Sequence, residues 1–516
     1  MQKDIEITLL PHQIVDTEVI NQKIADILAT PLKSIAGYEI LKRSIDARSK
    51  LVIYRLKIRV FVDEAPTVEH FNFEYKNVKD AKEVIIIGAG PAGLFAALQC
   101  LENGLKPVIV ERGKEVKQRR RDLALINKQG IVDPDSNYCY GEGGAGTYSD
   151  GKLYTRSNKR GDVNRVLQVF VNHGATRDIM VDARPHIGTN KLPQIITSIT
   201  ETILNAGGEI IFNAHMTDLI VDYGRIKGIE INYEEKRYAD HVILATGHSA
   251  RDVYELLNKR NILIEAKPFA LGVRIEHPQE LIDEAQYHTS AQAPRSEFLP
   301  PANYSLVEQI DDRGVFSFCM CPGGIIAPCA TAQKEIVVNG WSPSKRNNPF
   351  ANSGTVVQVH LSDVIGYDPL RMLHFQSDIE KAAFIAGGGK LVAPAQRMVD
   401  FVHNKLSLNL PTNSYLPGTK SAMLDNVLPA FVSESLRKAL PLFGKKLKGY
   451  YTNEAILVGV ESRTSSPLRI PRDKDTYQHP QVKGLYPCAE GAGYAGGIVS
   501  AAIDGINCVN AILQTN

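Results

Sequence analysis

The sequence predicts an α/β protein: a Rossmann-like dinucleotide-binding domain split by an inserted α+β substrate domain, with a small N-terminal βαββ appendage. Three observations predict it. A strand, glycine turn, helix and second strand run in order from Val84 to Glu111. A second glycine-rich helix start, at Gly493, Gly496 and Gly497, lies close to the C-terminus. Between them, over 268–482, the texture changes and no second G-x-G-x-x-G unit occurs. The expected division is 1–80 for the appendage, 81–267 with 483–516 for the dinucleotide domain, and 268–482 for the insertion.

Composition narrows the class. The 516 residues are 44% hydrophobic and 22% charged, which is ordinary for a globular protein. A net charge of +2 gives no reason to expect nucleic acid or an anionic membrane as partner. The apolar stretches 84–98 and 491–503 are broken by glycines and too short to span a bilayer, and Met1–Glu6 has no apolar signal region. Seven scattered cysteines, an odd number, argue against a disulfide framework and for a reducing, cytoplasmic setting.

In the appendage, Ile5–Leu10 reads as a strand and Asp16 as the cap of a helix over Thr17–Leu28. Ile35–Asp46 and Lys50–Val62 alternate as paired strands do, giving half of a ferredoxin-like fold. A buttress for the main domain is preferred over an interaction module.

Val84–Ile87 is a buried strand, Leu94–Asn103 a helix stopped by Gly104, and Val108–Val110 the next strand. Within the turn, Gly88 permits the tight bend, Gly90 lets the backbone approach a pyrophosphate, and Gly93 lets helix and strand pack. Ala89, Pro91 and Ala92 complete the segment that presents helix N–H groups to phosphates. Glu111, 18 residues beyond Gly93, can accept hydrogen bonds from ribose hydroxyls, with Arg112 beside it. The basic run Arg119–Arg121 reads as a solvated helix face, with a contact to the cofactor's adenosine end or to an acidic partner as the rival.

Tyr138–Thr155 carries five glycines in eleven residues, at 141, 143, 144, 146 and 151. Helix or sheet there is entropically costly, whereas close approach to a flat or charged ligand suits it. Gly143, Gly144, Thr147, Ser149, Asp150, Gly151, Lys152 and Leu153 are therefore candidate cofactor contacts. A helix over 192–204 and a strand over Glu209–His215 follow, then an antiparallel insertion to Tyr238. His241–Leu244 is a short strand closed by Ala245-Thr246-Gly247, with Ser249 and Asp252 capping the next helix. In the insertion, Phe269–Ile275 reads as a half-buried strand and Phe316–Cys321 as another, with helices over 369–386 and 426–442. Leu485–Pro487 then leads through Glu490 and Gly491 to a helix over Ile498–Leu513.

Four stretches carry a resemblance: Gly141–Leu153, Leu271–Pro278, Cys319–Gly324 and Glu490–Ile498. With Gly88–Glu111 and Ala245-Thr246-Gly247, they make residues 80–516 resemble the FAD-dependent dehydrogenase, or NAD(FAD)-utilising dehydrogenase, family of the glutathione-reductase-like superfamily. The resemblance implies non-covalent FAD as cofactor, its pyrophosphate on Gly88, Gly90 and Gly93 and its ribose on Glu111. Met216 follows a strand where such proteins bind adenine through backbone groups. Glu490 stands where many carry a shorter aspartate, and Gly496, Gly497 and Ile498 begin a helix beside the ring's carbonyl edge. Lys152 would balance charge on the reduced ring.

The implied activity is an oxidoreductase moving hydride or electrons between FAD and a small-molecule substrate, with NAD(P)H docking transiently or another donor supplying them. Two rivals stand: an RNA-modifying flavoprotein, supported only by Arg119–Arg121 and Lys445-Lys446-Lys448, and a non-catalytic protein holding FAD structurally. Candidate catalytic residues are Cys321, Lys152 and Arg463. Cys319 and Cys321 read first as core thiols on one face of a strand, then as redox thiols, then with Cys329 as metal ligands of irregular spacing. Cys139 and Cys488 fall in cofactor-side loops. Arg463 can clamp an anion or close a surface turn; His248 and His277 read as structural.

Overall fold

The computed structural model describes residues 1–66, 71–155, 160–290 and 292–515, so that 67–70 of the appendage fall outside the described residues. At the N-terminus, strands Gln2–Leu9, Ile35–Asp46 and Ile53–Val62 form an antiparallel sheet with the last strand in the middle. The helix Thr17–Leu28 begins where Asp16 accepts hydrogen bonds from the Glu18 and Val19 N–H groups, both at 3.1 Å. Ile20 and Ile24 of that helix share one core with Ile7, Leu56 and Ile58 of the sheet and with Phe269 and Val273 of the insertion. Arg43 pairs with Asp178 and Asp182, and Tyr54 Oη donates to Phe298 O at 2.6 Å, so the appendage touches both remaining parts of the chain.

The dinucleotide domain is built on a five-stranded parallel sheet. Its order is Leu485–Pro487, Val242–Leu244, Glu83–Ile87, Lys106–Val110, Glu209–Ile211. The near-terminal strand thus lies beside Val242–Leu244, more than 230 residues earlier, which makes the split fold visible in the register. Helix Pro91–Glu102 starts earlier than its apolar run because proline fits the first turn. It packs against Ile498–Thr515 so closely that a Cβ on Gly505 would lie 2.1 Å from Ala92 O. The 498–515 helix is long and apolar enough to cross a membrane, yet Val499, Ile503, Val509 and Ile512 are buried in this core. The opposite face of the sheet packs against the antiparallel strands Met216–Asp222 and Arg225–Ile231 and the helix Arg251–Lys259. That helix is capped differently from expectation. Its N-cap is Ala250 and makes no side-chain cap, because Ser249 Oγ turns to Cys139 Sγ (3.4 Å) and Asp252 binds Arg112.

The insertion is a seven-stranded mixed sheet. Phe269–Pro278 lies near its middle between Phe350–Val359 and Ile456–Glu461, and nearly all of it is buried. The expectation of a half-buried strand fails because its polar residues are buried with partners. Arg274 pairs with Glu461 at 3.1 Å, and the Glu276 carboxylate accepts hydrogen bonds from Ser414. Burial pushes the Glu276 carboxyl up from 4.5 to about 7, against the smaller effects of Ser414 and Arg274. A folded-state value above the unfolded one means that the native state holds the extra proton between these pH values. Stability should therefore decline as pH rises from about 4.5 to about 7 and level off above, a loss of roughly 3 kcal/mol from this group. Denaturant titrations across that range should show the decline flattened in Glu276→Gln; an unchanged slope would mean that Glu276 does not titrate there.

Candidate cofactor and substrate site

A cleft of about 2050 Å³, including its open mouth, lies outside the carboxyl ends of the parallel strands. One wall comes from those strand ends: Gly88, Glu111, Ala245, Thr246, Gly247 and Glu490. The other comes from the insertion: Phe318, Cys319, Ala327, Cys329, Val337 and Asn339–Trp341, with Arg463 and Thr464.

Gly88 has φ +103°, and a Cβ there would sit 2.6 Å from Ala245 O, so both its backbone and its neighbour demand glycine. A Cβ on Gly93 would lie 1.9 Å from Gly88 O, whereas one on Gly90 would meet nothing nearer than Gly144 Cα at 3.9 Å. Gly93 serves packing and Gly90 faces the cleft. The Glu111 carboxylate accepts from the Ala89, Gly113 and Gly141 N–H groups at 2.8–2.9 Å. It thereby ties the first glycine turn to the second glycine loop, and an ionised carboxylate keeps further acceptor capacity for a hydroxyl.

Arg119 overturns the reading of 119–121 as one solvated face. Its guanidinium is fully buried and donates to the Asn137, Tyr138, Glu142 and Gly144 carbonyls at 2.8–3.0 Å. Arg120 and Arg121 are exposed, as expected. The glycine loop has no regular ladder of its own, so its carbonyls need this donor fork. A Cβ on Gly141, at φ +109°, would come within 2.6 Å of Arg119 Cδ.

Of the expected cofactor residues, Pro91, Ala92, Gly144, Ser149, Asp150, Gly151, Lys152 and Met216 also line the cleft. So do Gly496, Gly497 and Ile498. Six do not reach it. Ala89 and Gly93 serve the turn, and Gly143 and Thr147 close the loop from below, with Thr147 Oγ1 donating to Glu142 O at 2.7 Å. Leu153 is buried and bonded to Pro185 O, while a Cβ on Gly491 would lie 2.7 Å from Gly247 O.

At the outer end, Arg112 binds Asp135 and Asp252 and lies 4.4 Å from the Tyr140 ring centroid. His215 Nε2 stands 2.6 Å from Asp252 Oδ2. Tyr140, His215 and Asp252 are cleft residues that sequence reasoning missed, since no spacing links them to Arg112. Further in, His248 Nδ1 lies 3.1 Å from Glu490 Oε2, so a histidine read as structural is paired at the cleft surface with the acid.

At the inner end, Asp150 lies 3.3 Å from Lys152 Nζ and 3.0 Å from Arg346 Nη2. Burial would raise the Asp150 pKa, but Lys152 and Arg346 outweigh it and hold the carboxyl below its usual range. Burial likewise opposes charge on Lys152, and Asp150 overrides it, leaving the pKa raised and the ammonium permanent. His186 is pushed down to about 4 by burial, reinforced by Arg346, and is neutral there. Lys152 Nζ also lies 3.4 Å from Cys321 Sγ.

The two cysteines of the C-x-C segment do not share a face. Cys319 has φ +45° in a bulge between Phe318 and Cys321, which leaves Cys319 exposed on the cleft and Cys321 fully buried beside Arg274 and Lys152. Cys321 is therefore not among the residues lining the cleft. Arg463 lines the cleft but is not a free anion clamp. It donates to Glu335 (2.8 Å), Glu380 (3.0 Å) and Thr331, and Arg251 completes this buried network. Burial raises the Glu380 pKa, but Arg251 and Arg463 pull it down to about 2. His277 is buried against Tyr450, its ring 4.5 Å away, and burial takes it to about 4. Among the described residues, the one convergence of metal-type ligands is Cys488, Asp504 and Cys508, away from the 319–329 cysteines. Arg472 already supplies a cation there, with bonds of 2.6 and 2.8 Å to Asp504.

The cleft fits FAD on its own geometry. Added Cβ atoms on Gly247, Gly496 and Gly497 would meet nothing within 4 Å, so bare backbone faces open space at three further points. Two helix N-termini, at Pro91 and Ile498, open onto the same space.

Comparison with known proteins agrees. Residues 82–256 match the pyridine nucleotide-disulphide oxidoreductase model, 268–464 the model described as FAD-dependent protein, C-terminal domain-like, and 1–61 a domain of unknown function. An uncharacterised protein of Clostridium beijerinckii is 39% identical over 97% of this chain and 96% of its own length. A thiamine thiazole synthase of Aeropyrum pernix is 25% identical over 39% of this chain and 67% of its own. A solved geranylgeranyl bacteriochlorophyll reductase-like protein of Thermoplasma acidophilum aligns over 84% of this chain and 80% of its own at 12% identity and a TM-score of 0.35, too low to carry an argument. The chain belongs to the same family as the clostridial protein, a family of FAD-dependent oxidoreductases, and its cofactor is FAD.

Proposed function

We propose that the protein is a dehydrogenase or reductase that passes a hydride or electron pair between FAD and a small molecule held against the insertion. The observation that carries this reading is the cleft's division of labour. One wall presents bare glycine backbone and helix starts, and the other presents side chains of a separate sheet. In this reading Gly88, Gly90 and the 91–102 helix start hold the pyrophosphate, Glu111 the ribose, and the backbone at Met216 the adenine. The start of the 498–515 helix and Lys152 face the ring end, where positive charge favours the reduced state. FAD, when bound, supplies two-electron transfer; the chain orients it and keeps water away.

Reducing equivalents come in this reading from a diffusible donor, NAD(P)H or another, since one dinucleotide fingerprint occurs in the sequence. Seven unpaired cysteines support a cytoplasmic setting. The RNA-modifying alternative loses part of its basis, because Arg119 is consumed inside the fold. Purified protein should be yellow. After anaerobic photoreduction, the flavin should be reoxidised by small electron acceptors, and NADH, NADPH or another small donor should reduce it again. A flavin that no small molecule reduces or reoxidises would favour a purely structural role.

A further inference from the structure

Charge is balanced along most of the cleft but not at its inner end. Among the described cleft residues, Arg112 faces Asp135 and Asp252, and Arg463 with Arg251 faces Glu335 and Glu380. Arg274, just behind the wall, is matched by Glu461. Lys152 and Arg346, by contrast, share Asp150 alone. His186 beside this group is neutral, and the Cys321 thiol accepts a hydrogen bond from Lys152 Nζ at 3.4 Å without adding a carboxylate to the group. The inner end therefore carries about one uncompensated positive charge in a partly water-excluded site, where charges interact far more strongly than in bulk water. Lys152 is its accessible member, with a side chain 33% exposed on the cleft.

The wall from the insertion is of opposite character. Phe318, Ala327, Val337 and Trp341 face the cleft, with Tyr138 from the glycine loop. Asn339 and Gly340 interrupt this apolar surface, and a Cβ on Gly340 would lie 2.2 Å from Arg274 Nη2 and from Asn352 Oδ1, so that this buried pair would have to shift. Ligand sites of this kind bury a hydrophobic body and orient it through a few polar groups.

We infer that the inner chamber takes a planar, largely apolar organic acid, its ring against Trp341 and Phe318 and its carboxylate on Lys152. The inference rests on the function proposed above and names the substrate class of that site. The shape comes from the aromatic and branched wall, and the charge from the unmatched cation. A neutral molecule of the same shape would leave Lys152 without its anion.

The chain's single tryptophan is Trp341, so its fluorescence reports on this chamber directly. The test is titration of the FAD-loaded protein with 2-naphthoate and, separately, with the neutral isostere 2-naphthamide. Trp341 emission and the visible flavin spectrum are followed together, with excitation and correction chosen to separate probe light. Saturable change with 2-naphthoate at a Kd at least tenfold below that of the amide is expected. In Lys152→Met, assayed with FAD added to saturation and with the native far-ultraviolet circular dichroism spectrum as the check on folding, the two probes should become equal, whereas Lys152→Arg should keep the preference for 2-naphthoate. Equal affinities in the native protein, or no saturable response from yellow protein, would overturn the inference while leaving the FAD reading intact. Colourless protein that takes up no FAD would instead remove the reading beneath it, and the inference with it.

Discussion

Gly90→Val should give folded but colourless protein, whereas Gly93→Val should not fold its dinucleotide domain. The two glycines stand three residues apart in one motif, yet their surroundings are opposite. A Cβ on Gly90 meets nothing nearer than 3.9 Å, so the valine fits the protein and projects into the cleft space proposed above for the cofactor's pyrophosphate. A Cβ on Gly93 would sit 1.9 Å from Gly88 O and 3.3 Å from an Ile86 methyl. No rotamer relieves a clash with backbone, so the helix Pro91–Glu102 would have to leave the sheet, and its nine buried residues with it. Far-ultraviolet circular dichroism, thermal unfolding and the flavin absorbance per chain separate the outcomes. Yellow Gly90→Val protein would remove Gly90 from the cofactor site. A stable, yellow Gly93→Val protein would contradict the helix–strand packing itself.

Arg119→Met should cost about 3 kcal/mol or more and weaken FAD retention in the same step. Four carbonyls of the 137–144 loop lose their donor at once, and the loop has no regular secondary structure to replace it. Methionine fills most of the volume, so the effect isolates hydrogen bonding from cavity formation. Arg119→Lys should rescue little, because one ammonium cannot reproduce a planar fork aimed at several carbonyls. The loop also supplies Gly144, packed against Gly90, and Ser149 to Lys152 on the cleft wall. Loss of order there should raise the Kd for FAD along with the loss in denaturant stability. If Arg119→Met keeps native stability and colour, the loop is held by something other than this side chain.

These residues also show where sequence patterns carry information and where they stop. The dinucleotide turn is legible because a strand end, a backbone approach and a helix start must follow one another within a few residues. Local geometry then dictates residue type at each position, and Gly88, Gly93 and Glu111 all stand where those demands place them. The same holds for the N-terminal βαββ unit, where Asp16 caps the helix expected over Thr17–Leu28. Arg119 failed for the converse reason. A buried arginine and an exposed one look alike in a basic run, and only the convergence of a distant loop onto the helix decides between them. Arg463 and Cys321 repeat the lesson: the partners of Arg463, Glu335 and Glu380, lie 128 and 83 residues away in the chain, and those of Cys321, Lys152 and Arg274, lie 169 and 47 away.

The opening unit, Val84 to Glu111, and the returning glycines near 496 pointed by themselves to the fold class and to a dinucleotide cofactor, since both depend on short-range backbone requirements. The glycine loop at 138–155, with the resemblance of the longer stretches, narrowed that cofactor to FAD. Which of two neighbouring glycines faces the cleft, which arginines are consumed in pairs, and where one positive charge is left over were decided by the tertiary structure. Those properties belong to sums over side chains brought together from the turn, the glycine loop and the inserted sheet, and no segment of the chain contains the sum.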